Sequence, residues 1–192
     1  MTTGWLEGQS VLVIGSGETA DVVAEAALVA GAACRRLAMW QDAIDMAGVD
    51  ALVLASADAA ARPAAATDLT GWRQSHSSDI DGRFLAAAAL ARAALAARRP
   101  AAILMLAPAK GDAARMTANG AIDNLVKSLA VEWARDGIRI NAIISRRIDT
   151  NGSVAPTART SLGHLATWLL SNFALYVSGS IIGIDETVDA TQ

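Results

Sequence analysis

A chain of 192 residues suits one domain with a proper core, taken here as residues 1–192, and leaves little room for a second. Lys and Arg number 16 and Asp and Glu 19, so the net charge of −3 gives no reason to expect nucleic acid or a membrane surface as a partner. Apolar residues make up 53% of the chain, much of it alanine, so helices must pack closely through small side chains.

In chain order, the apolar run of "SVLVIGSG" predicts a buried strand at 11–14, ended by glycines. Thr19 is placed to cap a helix from Ala20 to Ala30, and Gly31 stands where a helix end needs a residue free to adopt positive φ. "CRRLAM" (34–39) is a weaker strand because it carries two arginines. A short helix near 41–47 and a third strand, "DALVLAS", follow. Thr70 is placed to cap a helix from Gly71, and Pro100 stops the long helical run 80–98. "AAILMLA" (101–107) is a fourth strand. A helix over 114–135 carries Ile122, Leu125, Val126, Leu129 and Trp133 on one stripe. Gly137 ends it and "IRINAII" is a fifth strand. A helix near 158–170 and the strand "GSIIGID" complete the chain. Apolar strands alternating with helices imply parallel crossovers, and so a single α/β domain on a doubly wound parallel sheet.

The single cysteine, Cys34, rules out a disulfide within the chain and reads as a small buried hydrophobe, so a reducing, cytoplasmic home is expected. "MTTGWLEGQS" has no basic and apolar regions of an export signal, and the alanine-rich run from Phe84 to Ala97 is broken by Arg92 and too short to span a bilayer. His76 and His164 have no further Cys or His beside them, so no metal site is expected.

"KSLAVEWARDGIRINAI" followed by "IDT" resembles the short-chain dehydrogenase/reductase family, whose members often carry "SLA-E-A--GIRVNAI-PG---T" at this place. "DALVLASA", "DLTGWR", "DIDGRF" and "YVSGSIIGID" match further family stretches in the right order, so the resemblance covers nearly the whole chain. It implies a Rossmann-like doubly wound sheet, here with six strands. Because only "WQDAIDMAGV" separates the second strand from "DALVLAS", one edge strand is expected to be missing.

The resemblance also implies NAD or NADP and hydride transfer at a carbonyl carbon. A tyrosine serves as proton donor, a lysine four residues later lowers its pKa, a serine orients the carbonyl, and an asparagine supports a water. Aligned on "SLAVE", the tyrosine position falls on Arg115 and the lysine position on Asn119. The serine position falls on Ala107 or Pro108 and the asparagine position on Asp79. No Tyr-x-x-x-Lys occurs anywhere in the chain, and an arginine does not give up a proton at usable pH. The cofactor loop departs as well. "IGSGETAD" keeps Gly15, Ser16 and Gly17 as a vestigial loop but sets Glu18 and Asp21 beside the place of a diphosphate. A like-charge pair at roughly 4 Å costs about 1 kcal/mol in water and about 4 near a protein surface. The end of the second strand, near Ala38 and Met39, offers no ribose anchor, and the segment between Thr150 and Thr160 is short for a substrate lid.

These departures give three expectations. The first is a catalytically inactive relative with no catalytic residues and no cofactor. It would serve as a structural or regulatory subunit beside an intact relative or a second copy, joined through helices 80–98 and 114–135 and the 158–184 segment. The alternative is an unorthodox NAD(P)-dependent oxidoreductase acting on a carbonyl or alcohol, with Asp79 or a histidine in place of the missing acid. The third is a small-ligand sensor at the remnant cleft by Gly15, Ser16 and Gly17.

Overall fold

A computed structural model describes residues 2–41, 44–55, 62–148 and 153–185. Six strands form one parallel sheet in the order β2-β1-β3-β4-β5-β6, with β1 at Ser10–Ile14, β2 at Ala33–Leu37, β3 at Ala51–Leu54, β4 at Ala101–Pro108, β5 at Ile138–Ser145 and β6 at Ile181–Ile182. Every residue of β1, β3, β4 and β5 except Ser10 and Ile144 is buried, which is why those runs read as continuously apolar. β2 pairs only with β1 and its alternating residues are largely exposed, as befits an edge. Arg35 and Arg36 on that open edge discourage pairing with another chain.

Two helical layers cover the sheet. On one face lie α1 (Glu18–Val29) and α5 (Pro156–Leu170), packed on Val11, Val13, Val53, Leu104 and Leu106. On the other lie α3 (Gly82–Ala97) and α4 (Ala113–Trp133), packed on Leu12, Leu52, Ile103, Met105 and Ile140. Alternate residues of one strand thus feed opposite cores, the period-two consequence of a sheet buried on both faces. Gly163 lets α5 meet α1 closely, since a Cβ there would lie 2.9 Å from the Cβ of Ala26.

Two predicted caps move. α1 begins at Glu18 after Gly17, which caps it without a side-chain bond, and Thr19 lies inside the helix. The helix predicted from Gly71 is α2 (Leu69–His76), and Asp68, not Thr70, caps it by accepting from the Gly71 N–H at 2.7 Å. The long helix predicted at 80–98 is the second half of a continuous rod: α2 passes through a π-helical turn, Ser77–Asp81, directly into α3. No helix occurs among the described residues of 41–50, with Asp42 and Ala43 outside them. The last predicted strand shortens to two residues.

Candidate functional site

Because β2 and β3 lie on opposite sides of β1, the chain reverses its direction of travel across the sheet there, and a crevice opens beyond the carboxyl ends of β1 and β3. Gly15, at φ 139°, carries the chain out of β1. A Cβ on it would lie 2.7 Å from the Cβ of Ala55, so only glycine allows the loop to cross the end of β3 this closely. A cavity of about 460 Å3 opens here, walled by Ile14, Gly15, Ala38, Met39, Trp40 and Ala55 on the sheet side and reaching Arg83 on α3. The Nε1 of Trp40 is buried with no hydrogen-bond partner among the described residues.

The carboxylates flanking the start of α1 are both engaged. Glu18 accepts from the Val154 N–H at 3.0 Å and forms an ion pair with Arg159 of α5, while Asp21 pairs with Arg36 of β2. Each carries its own cation, so the repulsion of a diphosphate argued from Glu18 and Asp21 as bare charges is reduced. Glu18 nevertheless spends its carboxylate tying the 154–159 segment to the first turn of α1, where an anion would otherwise lie.

Of the four residues aligned with the family's reaction positions, three lie at the carboxyl end of β4 and the start of α4, and the fourth lies in the π-helical turn that packs against α4. Pro108 is the last residue of that strand, and its carbonyl accepts from Nδ2 of Asn119 at 2.6 Å. Arg115 and Asn119 lie on the buried face of the first turns of α4, 6% and 7% exposed. Asp79 lies in the π-helical turn, 8% exposed. Such turns recur at functional sites because they rotate a side chain off the regular helical face.

Arg83, which sequence reasoning missed, organises this group. It is 4% exposed and donates to the carbonyls of Leu54 at 2.9 Å and Leu106 at 3.0 Å, bridging the ends of β3 and β4. Burial lowers its pKa to about 10, with Asp79 pulling it up and Arg115 pushing it further down, so it stays charged at neutral pH. A signal was present: Arg83 falls in register with Ala86, Ala87, Leu90, Ala91 and Ala94, the buried stripe of α3.

At the start of α4, Asp112 is the N-cap, accepting from the N–H groups of Arg115 at 2.9 Å and Arg62 at 2.8 Å. Those two bonds, ahead of other influences, hold its carboxyl below the usual range. The histidines stand apart. His76 has Nδ1 2.9 Å from the Trp72 carbonyl and its ring 4.3 Å from the Trp72 ring, and His164 is exposed on α5. Ser56 and Thr150, at the ends of two family-like stretches, lie outside the described residues.

Among the described residues, no group of three or more His, Cys, Asp or Glu could hold a metal ion, and no helix is long and apolar enough to cross a membrane.

Residues 32–161 match the family model described as enoyl-(acyl carrier protein) reductase. The chain is 30% identical to a galactitol 2-dehydrogenase (L-tagatose-forming) of Cereibacter sphaeroides, over 86% of this chain and 72% of that one. Among solved structures, a short-chain type dehydrogenase/reductase from Mycobacterium marinum superposes with a TM-score of 0.81 at 21% identity, covering 94% of each chain. A short chain dehydrogenase from Leptospira borgpetersenii with bound NAD+ superposes with a TM-score of 0.79 at 17% identity, covering 94% of this chain and 92% of that one. The matching family model and the curated relative are named as a reductase and a dehydrogenase, which overturns the expectation of a catalytically inactive subunit. That expectation treated loss of the tyrosine and lysine as loss of reaction, although a hydride-transfer site rests on more than those two side chains. With residues 32–161 matched and the doubly wound sheet in place, the chain belongs to the short-chain dehydrogenase/reductase family of Rossmann-fold oxidoreductases.

Proposed function

We propose that the protein is an NAD(P)-dependent oxidoreductase that interconverts a carbonyl and an alcohol at the carboxyl edge of the sheet. The observation that carries this reading is the 30% identity to a galactitol 2-dehydrogenase, sustained over 86% of the chain. The crevice supports it. The apolar cavity beyond β1, β2 and β3, floored by Gly15 and Ala55 and bordered by the unpartnered Trp40 indole N–H, fits the adenosine end of a dinucleotide. Ile14, Ala38, Met39 and Leu54 would hold that end. The phosphates would lie at the start of α1, which requires Glu18 to turn away from Val154.

A nicotinamide bound there would supply or accept the hydride. The chain's own residues then have three tasks. Asp79 takes up the hydroxyl proton when an alcohol is oxidised and returns it in reduction. Arg83 holds Asp79 electrostatically and fixes the ends of β3 and β4. Arg115, a permanent cation at the position where the family places its phenol, stabilises negative charge on the reacting oxygen without donating a proton. The resulting rate is expected to be modest, because charge stabilisation and proton transfer are divided between two side chains. Cys34 and the absence of any paired cysteine support a cytoplasmic setting. The exposed Phe84, Leu85 and Leu95 of α3 and Met116 of α4 support self-association through those helices.

The test is NAD(P)H oxidation against a panel of sugars, polyols and small ketones, with Asp79→Asn alongside. Turnover that falls roughly a hundredfold in that variant is expected for lost general acid-base catalysis. No nicotinamide binding by calorimetry together with no turnover on the panel would overturn the reading.

A further inference from the structure

We infer that Arg159 and the backbone N–H of Val154 bind the phosphates of the cofactor, and that Glu18 holds their place as a competitor built into the chain. The inference rests on the oxidoreductase reading for its ligand and deepens it by naming phosphate-binding groups outside α1. The two oxygens of the Glu18 carboxylate are divided between those groups. One accepts from the Val154 N–H at 3.0 Å, and the other pairs with Nη1 of Arg159. A backbone N–H and a guanidinium that converge on one anion at the start of a helix are the donors a phosphate takes. Glu18 opens that helix, three residues after the Gly15 that lines the crevice, so the carboxylate stands where the diphosphate would.

The donors are fixed and the acceptor is not. Val154 is 4% exposed and bridges to Ile148 in antiparallel fashion, and the Ala155 N–H donates to the Arg147 carbonyl at 3.0 Å. Ala158 and Leu162 are buried in the same core as Ile148 and Val154, so the segment that carries both donors is anchored from beneath. The Glu18 side chain, by contrast, is 33% exposed and can rotate into solvent, where an ion pair of this kind is worth little. When it leaves, Arg159 keeps a second carboxylate within reach, since its Nη2 lies 3.8 Å from Glu25 of α1. That contact holds the guanidinium beside α1 instead of letting it follow Glu18. Asp21, the other carboxylate of the first turn, is engaged by Arg36 of β2. An acceptor carried by the chain itself lowers the apparent affinity for cofactor, because only the fraction of molecules with Glu18 turned away is competent.

The test uses the full chain and calorimetry with NADPH, ADP and adenosine, on the wild type, Glu18→Ala, Arg159→Met and the double variant. Glu18→Ala is expected to tighten NADPH and ADP roughly tenfold and to leave adenosine unchanged, because only the first two carry a diphosphate. Arg159→Met is expected to weaken both roughly tenfold even in the Glu18→Ala background, where no ion pair with Glu18 remains to be lost. An Arg159 that serves only as the partner of Glu18 would leave that second step flat. A flat step would overturn the inference, as would an equal gain for adenosine. NADPH binding indifferent to Arg159 in both backgrounds removes the inference and leaves the oxidoreductase reading standing. Arg159-dependent ADP binding with no nicotinamide binding and no turnover on the carbonyl panel does the reverse. No binding of any of the three compounds by any form overturns both.

Discussion

Two arginines, equally buried at opposite edges of the sheet, are used in opposite ways. Arg139, at the start of β5, is 8% exposed and donates to the carbonyls of Leu169 at 2.7 Å, Leu170 at 3.3 Å and Ser171 at 3.0 Å. Those are the unpaired carbonyls at the end of α5, and the cation also sits on the negative end of the helix dipole. Burial lowers its pKa, but its donors are employed by the fold. Arg115, at the start of α4, stands at the positive end of its helix with a donor unused. The buried arginine of the amino edge is satisfied by its own chain, whereas Arg115 at the carboxyl edge keeps one donor without an acceptor among the described residues, although the Asp112 carboxylate lies close enough to feel its charge.

The largest expected effect tests the first half of the contrast. Arg139→Met should destabilise the protein by about 3 kcal/mol, because three carbonyls lose a charged donor at once. Urea denaturation measures this, and a loss near zero would break the comparison. Asp112→Ala should cost about 1 kcal/mol as a lost N-cap. The sign of its pH dependence follows from a carboxyl held below the usual range. The wild type's advantage is present above pH 3.8, the ordinary value, and shrinks as pH falls through the depressed one, so the two unfolding curves should converge in acid.

Arg115→Met should change stability by less than about 1 kcal/mol, with either sign, since the methionine fills the space under Gly111 without an orphan donor. A loss as large as that of Arg139→Met would show that Arg115 serves the fold after all. The smallest stability effect is expected for Glu18→Gln, under about 0.5 kcal/mol, because its pair with Arg159 is more than a third exposed on the arginine side. The same variant should bind NADPH more tightly in a fluorescence titration, since it no longer sets a charge at the start of α1. Weaker binding would mean that Glu18 assists the cofactor instead of competing with it.

Much of the fold could be read from local pattern. Continuous apolar runs gave β1, β3, β4 and β5, and the stripe from Ile122 to Trp133 gave α4, because burial on both faces or on one helical face leaves a period in the sequence. Caps were less legible. Thr19 and Thr70 have the right chemistry for an N-cap, yet Gly17 and Asp68 hold those positions, since the choice among neighbouring polar residues depends on where the loop leaves the sheet. The alignment named Asp79, Pro108, Arg115 and Asn119, of which Asn119 bonds to the Pro108 carbonyl, but gave no account of Arg83, whose two acceptors lie on different strands.

The sequence by itself determined the alternation of strands and helices, the parallel sheet that alternation demands, and the exchange of a titratable phenol for a permanent cation at residue 115. Only the tertiary structure decided that Glu18 and Asp21 carry arginine partners, that Arg83 ties two strands together, and that Arg115 keeps a donor with no acceptor among the described residues. The physical reason is range. Hydrophobic period and backbone preference act within a few residues, whereas the satisfaction of a buried charge depends on which distant segments the folded chain sets around it.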